Sequence, residues 1–348
     1  MNPGLSSAGL ARRTTPGLLA LLALAYVVAV TGVLVFRRQV VTPDYLLVLF
    51  VPIAILSGRL VGFVRDWVPL VALLFAWEAM RGFAGTTGFA VYSGTWQLEE
   101  SLFGGRLPTV VLQQLARQHG WATWLDPAAT IVYFVHFPAA LVFALMLWLV
   151  DRGVFLQYML TLVAMSFAAF VVFLLLPTAP PWWAAYHGEF TGLDRIFDHT
   201  LVSRLDGLYA SLSPNPVAAI PSLHAAYPFL GFLALRRVWP RGAWAALAWA
   251  ALVWFAIVYL GEHYVIDAAI GIVWAAGFWW LIQKLLVPRL HVLQTAAGLT
   301  STHGGDDARG GGAPPRDRQG VRASGSLALP GQVGTGRPGP SRAPQEGG

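Results

Sequence analysis

Cysteine is absent from the 348 residues, which excludes a disulfide framework, thiol catalysis and thiolate metal sites. Lysine occurs once, at Lys284, so the formal net charge of +6 rests almost wholly on arginine. Charge of either sign is scarce: Asp, Glu, Lys and Arg make up 11% of the chain, against about 25% in a soluble domain. That deficit excludes an ordinary water-soluble fold. What replaces charge is apolar sequence, with 56% hydrophobic residues and a mean hydropathy of +0.60. Fifteen tryptophans and ten tyrosines suit the aromatic belts of a bilayer interface. Arginine flanking apolar runs sets topology and gives no sign of nucleic-acid binding.

Eight apolar segments are legible, at about 17–36, 44–58, 67–83, 129–150, 154–176, 222–239, 242–260 and 267–287. Five hold about 19 residues or more, enough to cross a hydrocarbon core of about 30 Å at 1.5 Å per residue. The second and third are short, and a tilted or re-entrant course is expected for them. The first follows Arg12 and Arg13 but is too long for a signal peptide and lacks a small-residue cleavage site, which predicts a retained anchor. The expected fold is therefore an all-α, polytopic membrane helix bundle. With the N-terminus in the cytoplasm, Arg59, Arg65, Arg152, Arg236, Arg237, Arg241, Lys284 and Arg289 fall inside, and among short loops only Arg37 and Arg38 disagree. The positive-inside rule then predicts a multi-pass cell-membrane protein with both termini cytoplasmic and the long loops 84–128 and 177–221 outside. Residues 301–348 carry 13 glycines and 6 prolines with almost no apolar periodicity, so a disordered tail is expected over 295–348.

Polar residues interrupt this pattern in three places: "IPSLHAAYP" at 220–228, "YLGEHYVIDAAIG" at 259–271, and "FAWEAMRGFAG" at 75–85. His263 and Asp267 are four apart and on a helix would share one face, with Cβ atoms about 6 Å apart. A carboxylate there fixes the tautomer of the imidazole and leaves its other nitrogen free as nucleophile or base. By the topology above, His224 opens a segment running inward and His263 opens the next segment but one. All three groups then arrive at the outer face. A lone histidine at a helix start is commonly a cap, and a His–Asp pair can be structural glue. Two such stretches meeting on one face favour chemistry, since ionisable groups at membrane depth are costly.

"PSLHAA" followed by "GEHYVIDAAIG" resembles the second and third signature motifs of the type 2 phosphatidic acid phosphatase superfamily. The resemblance covers roughly 67–290 and implies a six-helix catalytic core there, with 1–66 as added anchor segments. It implies that His263 attacks phosphorus, Asp267 orients it and His224 protonates the leaving oxygen, with no metal or other cofactor. Two features depart from the phosphatases. Ile257 stands where they carry an arginine, and "LLPTAPPWW" at 175–183 lacks the cations of their first motif. The same departures are similar to the branch of inositol phosphorylceramide synthases, sphingomyelin synthases and actinobacterial relatives, which transfers phospho-headgroups between lipids.

The resemblance thus implies an enzyme acting on a membrane lipid phosphoester, with an alcohol or water as acceptor, and inositol-phosphate transfer as one form of the reaction. Transferase and phosphatase both stay open, as do a covalent phosphohistidine and a direct transfer with His263 as general base. A polyprenyl-phosphate or lipid phosphatase is the alternative within enzymes. A proton-coupled transporter is the alternative outside them, against which no internal repeat is found. For the missing phosphate cation Arg81 is the candidate, three residues after Glu78, because its planar fork suits phosphate. Ser222 is expected either to donate to phosphate or to cap its helix. His136 in "YFVHFP" is expected to be a buried structural histidine, with a place lining the cavity as the alternative, and Trp182 and Trp183 to be belt residues.

Overall fold

A computed structural model describes residues 16–36, 43–84, 88–199 and 215–302. Its helices are α1 (Pro16–Phe36), α2 (Pro43–Leu56), α3 (Leu60–Ala84), α4 (Thr95–Leu102), α5 (Pro108–Gln118), α6 (Ala122–Val150), α7 (Arg152–Leu175), α8 (Pro181–Tyr186), α9 (Leu223–Val238), α10 (Ala243–Tyr259) and α11 (Val265–Thr302), with a 3-10 turn at Ile196–Asp198. Among the described residues, extended pairing is confined to isolated bridges. By contacts the chain divides into 1–295 and 296–348, and the described part of the second unit is the end of α11. The tail expected over 295–348 lies, from 303 onward, outside the described residues.

Leucine, valine and alanine surround α1, α2 and α10 on all sides, the pattern of a helix immersed in lipid or core. A helix satisfies its own backbone polar groups, which lipid cannot do. Leu60–Trp77, Ala122–Val150, Arg152–Leu175 and Val265–Leu285 are long and apolar enough to cross a membrane, and Leu18–Gly32, Leu47–Leu56 and Ala243–Tyr259 are shorter apolar stretches. The chain is a membrane helix bundle. α6 lies at its centre and packs on α1, α2, α7, α9 and α10, while α3 lies along α7. One residue, Asp151, separates α6 from α7; its carboxylate accepts the N–H groups of Gly153 (2.8 Å) and Val154 (3.0 Å), a cap worth about 1 kcal/mol.

Two boundaries differ from expectation for one reason. α3 starts at Leu60 and runs 25 residues, where a short segment from 67 was expected. α6 starts at Ala122 and not near 129. In both, polar residues in the added turns have tertiary partners that local sequence does not show. Buried Asp66 accepts from Arg152 Nε (2.6 Å), Arg152 Nη2 (2.7 Å) and Trp148 Nε1 (3.2 Å). Asp126 accepts the phenol hydroxyl of Tyr259.

Candidate active site

Three stretches far apart in sequence are tied together by main-chain hydrogen bonds at one end of the bundle. Thr178, in the PTAPPW stretch, donates its N–H to Val217 (2.8 Å), and its carbonyl accepts from Ala219 (3.2 Å). Its hydroxyl oxygen accepts the N–H of Ile220 (2.9 Å). This fixes the strand-like lead into PSLHAA. Trp182 N–H donates to Gly261 (3.0 Å), joining PTAPPW to GEHYVID, and Ser222 N–H reaches the carbonyl of Asp267 (3.4 Å).

Ser222 is fully buried and caps α9, its oxygen accepting from Ala225 N–H (3.2 Å). The expected capping contact is therefore present. His224 follows in the first helical turn, half-buried. Its ring stacks on Tyr133 at 5.0 Å and meets Phe137 edge-on at 5.2 Å, which holds the imidazole in one plane.

His263 does not sit on a helix with Asp267, as the spacing suggested. α11 begins at Val265, so His263 precedes it by two residues. Gly261 turns the chain at φ +75°, a conformation that disfavours other residues. The N–H groups of Glu262 (3.0 Å) and His263 (3.1 Å) then both reach the Ile257 carbonyl. The pairing survives by a different route. Asp267 folds back over the start of α11, where Oδ2 accepts Tyr264 N–H at 3.0 Å and lies 3.5 Å from His263 Nδ1. That is an ion-pair distance, long for a hydrogen bond. Both side chains are buried, Asp267 completely.

His224 Nδ1 lies 2.8 Å from His263 Nε2. With Asp267 as acceptor the proton of His263 belongs on Nδ1, so the Nε2 lone pair accepts from His224 Nδ1–H. The structure thus brings His224, His263 and Asp267 into one line. Chemically the line offers a nucleophilic nitrogen, a carboxylate that steadies positive charge on it, and a second imidazole beside the attacking atom.

Residues 96–281, just over half of the chain, match the family model of the PAP2 superfamily. The chain belongs to the PAP2 superfamily. A phosphoinositol dihydroceramide synthase of Bacteroides thetaiotaomicron is 29% identical over 201 residues, covering 54% of this chain and 65% of that protein. An inositol phosphorylceramide synthase catalytic subunit of Schizosaccharomyces pombe is 25% identical over 208 residues, covering 56% of this chain and 47% of that protein. The chain thus spans between about half and two thirds of the length of these relatives. No solved structure matches it. The PAP2 match begins inside α4 and leaves α1, α2 and α3 outside it.

Further residues lie around these groups. His136 is buried as expected, but its ring lies 4.9 Å from that of His224; Nδ1 contacts the Tyr133 carbonyl, and Nε2 has no partner among the described residues. The three-residue spacing of Tyr133 and His136 was the available signal. Gly271, at the end of the quoted third motif, faces Ser222; a Cβ there would lie 2.2 Å from the Ser222 carbonyl oxygen. Arg195 holds its guanidinium 4.0 Å over the Trp182 ring, so Trp182 serves a local contact as well as any belt. The side chains of Glu78 and Arg81 lie outside the described residues.

Proposed function

We propose that this protein transfers a phospho-headgroup, of the inositol-phosphate type, from a membrane lipid phosphodiester to the hydroxyl of a second lipid. The single observation that carries this is the line His224 Nδ1, His263 Nε2, His263 Nδ1, Asp267 Oδ2, at 2.8 and 3.5 Å. His263 Nε2 attacks phosphorus as the bond to the departing alkoxide breaks, and His224 gives that oxygen its proton. The acceptor hydroxyl then loses its proton to His224 and attacks phosphorus, and the P–N bond breaks to restore His263. Asp267 steadies the cationic imidazole throughout. The His224–His263 bond opens to admit the phosphorus between the two rings.

Transfer is favoured over hydrolysis by the missing phosphatase cations, at Ile257 and in LLPTAPPWW, and by the synthase names of both relatives. The reaction is assigned to the outer membrane face, with both termini cytoplasmic, on the arginine distribution. The test is to incubate purified protein with phosphatidylinositol and either a ceramide or a diacylglycerol whose acyl chains differ from the donor's, and to identify products by mass spectrometry. A new inositol phospholipid is expected, absent with His263→Ala. Release of water-soluble inositol phosphate or phosphate alone would make the protein a hydrolase. No turnover of any lipid phosphoester by folded protein would overturn the proposal.

Arg81 is proposed as a phosphate ligand. Arg81→Lys keeps the charge but not the bidentate fork and is expected to cost about tenfold in kcat/KM, about 1.4 kcal/mol. Unaltered kinetics in the lysine variant would remove Arg81 from the site.

A further inference from the structure

Helix α4 inverts the usual rule of burial. Leu98 and Leu102 are exposed, whereas Glu99 has no exposed surface. Charged residues are rarely buried without a partner of opposite sign. Glu99 Oε2 accepts the N–H of Ile266 at 3.2 Å. Ile266 precedes Asp267 and lies in the first turn of α11, where N–H groups lack intrahelical partners and the helix dipole favours a carboxylate. Glu99 Oε1 and Asp267 Oδ1 are both buried and both without a hydrogen-bond partner among the described residues.

We propose that Glu99 is a positioning residue for the His263–Asp267 pair, anchoring the first turn of α11 while keeping its own carboxyl protonated, so that a single negative charge stands behind His263. The proposal rests on the transfer chemistry above and adds a group that no step of it uses. Two neighbouring buried carboxylates do not both ionise readily. Both carboxylates meet main-chain N–H groups, Asp267 that of Tyr264 and Glu99 those of Ile266 and Val265, but Asp267 alone faces the His263 imidazole and so has the stronger claim to the charge. Burial pushes the Glu99 carboxyl up to about 7, the Ile266 and Val265 N–H groups oppose this, and the Asp267 charge adds to it. Tyr264 faces both carboxylates and Glu189, and its phenol is raised by burial first and then by those charges, so it stays neutral.

The sign follows. As pH rises through about 7, Glu99 ionises and a second negative charge appears behind His263. That charge opposes binding of an anionic phosphate. Turnover therefore falls on the alkaline side. Glu99→Gln is neutral at every pH and keeps an oxygen for Ile266 N–H.

Two measurements test this. First, the ratio of kcat/KM at about pH 6 to that at about pH 8.5 is expected to shrink about fivefold in Glu99→Gln, as the alkaline limb flattens. A variant with the parent's pH profile would overturn the proposal. So would a Gln variant that melts like the parent but is inactive at every pH, since the charged form would then be the one required. Second, hydrogen exchange of the peptide spanning 264–268 is expected to quicken in Glu99→Ala and to stay protected in Glu99→Gln. This readout needs no turnover, so it separates a failure of the anchor from a failure of the assigned reaction. Unaltered protection in the Ala variant would also overturn the proposal.

Discussion

Turnover is expected to fall by at least about 10⁴-fold when His263 is replaced by alanine, the scale seen when a group that works as a unit with its neighbours is removed. The loss should exceed that of any other single substitution, because His263 is the proposed nucleophile, with Nδ1 facing Asp267 and Nε2 facing His224. His224→Ala is expected to cost about 10²- to 10⁴-fold, the range for losing a general acid–base. The fold should persist. His263 is held by its main chain, through the bond from its N–H to the Ile257 carbonyl, and that bond does not need the ring. The checks are transfer rate per folded protein, folded protein being counted by detergent size-exclusion and melting temperature. Activity within tenfold of the parent in the folded His263 variant would remove the nucleophile from the mechanism.

Gly271→Ala is expected to cost about 10²-fold in kcat while leaving a folded protein. A Cβ at this position would lie 2.2 Å from the Ser222 carbonyl oxygen, 3.1 Å from its carbon and 3.3 Å from Ala225 Cβ. Ordinary carbon–oxygen contacts are no closer than about 3.3 Å, so α11 and the start of α9 must separate by about 1 Å. The obstruction is backbone, which no rotamer relieves. Overpacking of this kind costs about 1–3 kcal/mol of stability. The catalytic cost is the larger one, because α9 carries His224 and α11 carries Asp267, and a displacement of about 1 Å between reacting groups is worth about 10²-fold. Side-by-side kinetics and thermal melts separate the two costs. A Gly271→Ala variant with the parent's kcat would show that the α9–α11 spacing does not set the geometry of the rings.

The eight apolar runs reappear as α1, α2, α3, α6, α7, α9, α10 and α11, because apolar runs are written openly in sequence, although among the described residues only four of these helices hold a stretch long and apolar enough to cross a membrane. Helix ends were less legible where polar residues find remote partners, as Asp66 does in Arg152 and Asp126 in Tyr259. The meeting of His224, His263 and Asp267 followed from counting passes, since segments of opposite direction return alternate starts to one face. His263 and Asp267 pair without the helical geometry that their spacing predicts, because Gly261 turns the chain ahead of the helix and Asp267 reaches back to the Tyr264 N–H. Helices α4 and α5 gave no apolar run to find. Their buried polar residues look like surface in the sequence: Glu99 reaches Ile266, and Gln113 bonds the carbonyls of Asp194 (3.0 Å) and Tyr259 (2.9 Å). Such contacts join positions more than 80 apart, and no local pattern announces them.

The 2.8 Å bond between the two imidazoles has a further meaning. In the proposed chemistry His224 is first an intramolecular competitor for the nitrogen that it later assists. A phosphate that enters must first displace it, at about 1 kcal/mol for a hydrogen bond of this kind. By linkage, whatever weakens the ring pair strengthens the binding of any anion that wedges between the rings. Substrate affinity and resting order at this site are therefore drawn from the same contact, and neither can be raised through it without lowering the other.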